Sequence, residues 1–127
     1  MKYLLSILIL LGFMSVASAQ QSFKPLSEYV QDHDILNDNA AMTYALQRCS
    51  AAYNTAQALI YEQDKETSDT HFETSVILGN LAVMLHAEIK NMDMAKAEKE
   101  VADLIKAKVN IYMNDAKANY IKTGSYM

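Results

Sequence analysis

The chain has 127 residues, 51% of them hydrophobic, with 11 lysines and arginines against 15 aspartates and glutamates and a net charge of −4. Nucleic-acid binding depends on clustered basic side chains that release counterions from phosphates, so an acidic chain without such a cluster excludes that class of partner. The same balance argues against an anionic membrane surface.

Lys2 is followed by an uncharged, mostly apolar run from Tyr3 to Met14, and then by small residues ending in Ala17, Ser18 and Ala19. This order of charge, grease and small side chains predicts a secretory signal peptide over residues 1–19, cut between Ala19 and Gln20. The apolar run is about 12 residues, whereas a helix needs roughly 20 to cross a bilayer, so no permanent membrane anchor is expected. No cysteine stands immediately after the cut, so a lipid anchor is not expected, and no Asn-x-Ser/Thr acceptor occurs. The expectation is export, to a periplasm or to the medium. The mature chain after the cut is long enough for one domain with a core and too short for two.

Cys49 is the only cysteine. It cannot close an internal disulfide, so the fold must stand on packing, with Cys49 either a buried thiol or paired between chains. After the signal there is one proline, Pro25, and two glycines, Gly79 and Gly124. So few breakers, without runs of β-branched residues, predict long helices.

Residues 20–37 hold Pro25 and the polar stretch Asp32, His33 and Asp34. They predict an irregular acidic arm in which Ser27 can begin a single helical turn. An all-α domain is expected over residues 38–124, with helices over about 39–63, 70–91 and 94–122. The first follows the Asn37, Asp38, Asn39 cluster, any of which can cap it. Its apolar positions Met42, Leu46, Cys49, Tyr53, Ala56 and Ile60 recur at helical spacing, leaving Arg48, Asn54, Thr55 and Glu62 outside that face.

A polar loop from Asp64 to Asp69 leads to Thr70 and Glu73, which stand at the spacing of a capping box. Eight of the ten residues from Val76 to Leu85 are apolar, so the second helix is expected to be the most buried. Asp93 can cap the third helix, and Gly124 can end it. No glycine or proline enforces a turn near Asn91, so one continuous helix from Thr70 with a swapped third segment is the competing arrangement. Separate helices joined by short loops predict a small antiparallel three-helix bundle, up, down, up.

Folding about loop centres near residues 66 and 92 sets Cys49 level with Val83 and Val101, and Tyr53 level with Gly79 and Ile105. Gly79 would then make room for the Tyr53 ring. Lys108 and Asp115 interrupt the third apolar stripe and would approach the acidic loop, pairing or snorkelling there. The second helix has more apolar surface than a three-helix bundle covers. The excess predicts an interface through Ile77, Leu81 and Met84, by self-association as a homo-oligomer or with a protein partner, or else cover by residues 20–37.

The pattern supports two functional readings. The first is an exported, non-enzymatic helical binding module. The second is a ligand-carrying bundle in which Met42, Cys49, His86 and Met94 hold copper, since soft sulfur donors with an imidazole suit Cu(I), or in which haem is bound near His86. A Cys49–His86 nucleophile lacks a third group to orient the imidazole. Asp32, His33 and Asp34 do not fit the spacing of a calcium loop. Met42 and Cys49 on an apolar stripe are equally what a packed core requires, because both side chains fill irregular gaps.

Overall fold

The computed structural model describes residues 22–126, so the expected signal peptide over residues 1–19 lies outside the described residues. Those residues form an all-α helical bundle of four helices: α1 (Leu26–Asp32), α2 (Asn39–Ile60), α3 (Lys65–Lys90) and α4 (Met94–Thr123). The count is four rather than three because the segment expected to be an irregular arm carries α1. Pro25 stands at its N-cap with φ −49°, and the Pro25 carbonyl accepts from the Glu28 and Tyr29 N–H groups. A proline lacks the N–H that a first turn would leave unpaired, so it suits a helix start. No described helix is long and apolar enough to cross a membrane.

Each long helix begins on an aspartate that takes up a free N–H of the first turn. Asp38 accepts from Ala41, Asp64 from Thr67 and Asp93 from Lys96. The expected second helix therefore starts five residues early, at Lys65. Asp64 also accepts from the Thr67 hydroxyl at 2.6 Å, while Thr70 turns back to the Glu66 carbonyl instead of forming a capping box. The polar stretch after Asp64 is the largely exposed first turn of a helix, not a loop. At the other end, Asn91 takes a left-handed conformation with φ 49°. Its N–H reaches Glu88, and the Met92 N–H reaches Ala87, which closes the helix as a glycine would. This stop separates α3 from α4, so the continuous-helix arrangement does not occur.

Consecutive long helices run antiparallel. The Ser50 hydroxyl donates to the Ser75 carbonyl at 2.7 Å and the Ser68 hydroxyl to the Gln57 carbonyl at 3.0 Å, tying α2 to α3. His86 and Glu100 meet at 2.9 Å between α3 and α4. These pairs correct the expected register. The α2–α3 turn is centred nearer residue 62 than 66, so Cys49 lies level with Val76 rather than Val83. At about 1.5 Å of rise per residue, a shift of seven residues is about 10 Å.

The most buried helix is α2, with eight buried residues against six in α3 and four in α4. The expectation for α3 fails because α2 is covered by α1 as well as by both other long helices, while α3 keeps one side open. Arg48 and Thr55, expected outside the packed face, are 3% and 5% exposed. The apolar centre is built from Ala82, Val83, Ala87, Ala97 and Val101, with Leu46, Met92 and Ile105 packed around it. Alanines let the helix backbones approach closely, and several larger apolar side chains are left at the periphery. Ala41, Ala45, Ala51 and Ala116 extend the same close packing.

Candidate functional site: an apolar groove beside α3

The expected interface residues all lie at the surface. Ile77 is 61% exposed, Met84 59% and Leu81 44%, and Phe72, Val76 and Ile89 are exposed on the same helix. The N-terminal segment does not cover them. Helix α1 packs on α2, where Tyr29 and Tyr44 meet with ring centroids 4.6 Å apart, and Phe23 lies against Arg48 and Tyr112. Ser22 donates to Asp115 at 2.8 Å, which holds this strap to α4.

Beside the exposed strip, α3 and α4 diverge over a groove of about 420 Å³. Val76, Val83, Val101, Ile105 and Val109 line its walls, and Ser50, Ser75 and Gly79 lie at its base. Gly79 is central to the opening. A methyl group placed there would meet the Ser50 Oγ at 3.4 Å and the Ile105 Cδ1 at 3.6 Å, so the floor is close but not sealed. Tyr53 does not fill this space. It packs edge-on against His71, with centroids 5.3 Å apart, which also leaves His71 half-buried rather than exposed. Glu98, Ala102 and Lys106, one turn apart in sequence, form the α4 rim of the groove, and all three are exposed.

The candidate metal residues are not gathered at one point. Cys49 and His86 belong to levels about ten residues apart on α3, roughly 15 Å along the axis, so they cannot share an ion or act as a nucleophile and base. Burial pushes the Cys49 thiol above its ordinary range, with Arg48 pulling partly back, which disfavours thiolate. The His86 Nε2 is occupied by Glu100. Met94 is half-exposed at the start of α4, and Met42 is half-buried on α2. Among the described residues no cluster of three His, Cys, Asp or Glu side chains is placed to hold a metal ion. In the arm, His33 stacks on Tyr29 and its Nδ1 lies 2.9 Å from the Tyr29 carbonyl, while Asp34 accepts from Asn37.

Of a second polar centre the sequence pattern signals only Lys108, which interrupts the apolar stripe of α4. Arg48 and Lys108 are 3% and 9% exposed, and among the described residues neither forms an ion pair with a carboxylate. Arg48 Nε donates to the Tyr112 hydroxyl at 3.0 Å, and Lys108 Nζ donates to Gln47 Oε1 at 3.0 Å. The guanidinium lies 4.4 Å from the Phe23 ring centroid, and the ammonium 5.1 Å from that of Tyr44. Burial, aided by the Arg48 charge, holds the Lys108 pKa below its ordinary value. Lys108 therefore does not approach the acidic turn after Asp64, because α4 runs parallel to α2 and brings residue 108 beside residue 47. All of the buried polar side-chain atoms described have hydrogen-bond partners, so this centre is a satisfied belt between α2 and α4. No known family model, curated protein or solved structure matches this chain.

Proposed function

We propose that the chain is an exported helical binding module, without catalysis of its own, that meets a protein partner through the exposed strip of α3 and the adjoining groove. The observation that carries this reading is the run of Ile77, Leu81 and Met84, each at least 44% exposed, with no described segment lying over it. A contiguous apolar strip facing water is costly at about 25 cal/mol per Å² and is usual where another surface covers it. The groove adds the concave, mostly aliphatic lining that receives a protruding apolar side chain. Catalysis would call for convergent titratable groups, and the groove offers Glu98 and Lys106 only at its rim.

The test is photocrosslinking in the cells that make the protein, with a photoreactive residue in place of Leu81 or, as a control, in place of Lys117, which is exposed on α4 beyond the groove. The expected result is a discrete covalent adduct from position 81 and none from position 117. Equal or absent labelling at both positions overturns the reading.

A further inference from the structure

We propose that the occupant of this face is a second copy of the same chain, docked antiparallel about a two-fold axis that passes beside Ala102. This rests on the binding reading above and names its partner. The first support is charge. Glu98 and Lys106 stand four residues either side of Ala102 on the groove rim, all three exposed. A two-fold axis perpendicular to α4 at Ala102 sets Glu98 of one protomer against Lys106 of the other, twice by symmetry. Ala102 at the crossing point allows the two α4 backbones to approach.

The second support comes from α3. The His86–Glu100 contact and the approach of Ile105 to Gly79 place Ala102 level with residues 82–84 of α3. Two of the exposed apolar side chains of α3 lie evenly about that same level. Leu81 and Met84 flank it closely, and both are exposed. The axis that pairs the charges on α4 therefore also brings Leu81 of one protomer toward Met84 of the other. It sets none of the exposed acidic residues of α3 against another: Glu73 falls opposite Met92 and Glu88 opposite Ile77. One operator thus pairs opposite charges on α4 and apolar side chains on α3.

Sedimentation velocity of the purified protein tests this. The expected species is a dimer. Glu98→Lys and Lys106→Glu each turn two attractive pairs into two repulsive ones and raise the dimer Kd roughly tenfold or more. An equimolar mixture of the two variants forms a heterodimer, because the lysines of one chain then meet the glutamates of the other. The double variant E98K/K106E recovers the homodimer. Unchanged helical dichroism establishes that each variant is folded. A strictly monomeric protein overturns the proposal, as does a dimer indifferent to both swaps or a mixture that fails to associate. A monomer whose position-81 adduct contains a different protein overturns the second copy while leaving the binding reading intact. A monomer without any adduct removes both.

Discussion

Arg48 and Tyr112 meet across 3.0 Å, the guanidinium Nε donating to the phenol oxygen, while the Phe23 ring covers the guanidinium at 4.4 Å. A buried cation without a carboxylate depends on such neutral acceptors and on ring faces, whose electron-rich surface attracts positive charge. Removing the acceptor should therefore cost more than removing the charge. Tyr112→Phe is expected to lower stability by about 1.5–3 kcal/mol, the range for a hydrogen bond to a charged group. Arg48→Met, which keeps volume and removes the charge, should be near neutral, and Tyr112→Phe should then cost little in that background. Urea midpoints of the two single variants and the double variant give the coupling directly. Additive costs would mean that the two side chains do not act as a pair.

Lys108 supplies a pH signature. Its folded pKa lies below the ordinary 10.5 because burial, and secondly the Arg48 charge, disfavour the ammonium. Between the two values the unfolded chain holds more protons, so stability rises with pH through that window and the burial penalty is fully present below it. Tyr29 acts in the opposite sense. Its hydroxyl is raised above 10.0, chiefly by burial and then by the Tyr44 and Asp38 charges, so its contribution falls as pH climbs through 10. The informative quantity is the difference between the natural chain and Lys108→Met. That difference should move in favour of the natural chain as pH rises toward 10.5, and a flat difference would place the ammonium in water.

Helix spacing made the all-α class legible, and residue type gave Asp93 as a cap, Gly124 as a stop with φ 74°, and a cap for α2 among Asn37, Asp38 and Asn39, of which Asp38 serves. Register was not legible, because it turned on whether Asp64 or Thr70 caps α3, and both residue types cap well. That choice moved Cys49 seven residues along its neighbour and created the apparent Cys49–His86 pair. The buried belt was hidden for a different reason. Polarity marks Arg48 and Thr55 as solvent-facing and makes Lys108 an interruption of an apolar stripe, and only the three-dimensional pairing of Lys108 with Gln47 and of Arg48 with Tyr112 shows how the two cations are satisfied. The alanine-rich centre misled in the same way, since the large apolar residues that dominate a periodicity reading ended at the rim.

Glu100 should contribute to acid sensitivity. The hydrogen bond from His86 is the main reason its carboxyl titrates below the ordinary 4.5, with Lys96 and Lys90 adding to the effect. A lowered carboxylate contributes stability above 4.5 that is lost as pH falls through the folded value. Asp64, lowered mainly by the Thr67 side chain and N–H, behaves likewise at the start of α3. Both carboxylates are exposed, so salt screens the charged part of their contribution. Glu100→Gln should flatten the loss of stability below pH 4.5, most clearly at low ionic strength. An unchanged acid limb in thermal melts from pH 5 to 2 would assign the limb to other carboxylates.

Gly79→Ala tests whether the groove floor is open as described. Alanine in a helix interior is favoured over glycine by about 0.5–1 kcal/mol, because glycine loses more backbone freedom on folding. The added methyl would meet the Ser50 Oγ at 3.4 Å and the Ile105 Cδ1 at 3.6 Å, which is ordinary contact rather than overlap. The substitution should therefore stabilise the chain, raising Tm by roughly 3–6 °C for a domain of this size. Were Tyr53 seated over Gly79, as its position in sequence suggests, the same methyl would displace a ring and lower Tm. Melts recorded at protein concentrations low enough to keep the chain monomeric separate this effect from association through the groove. A fall in Tm under those conditions would mean that α2, α3 and α4 close over Gly79 more tightly than the 420 Å³ opening implies.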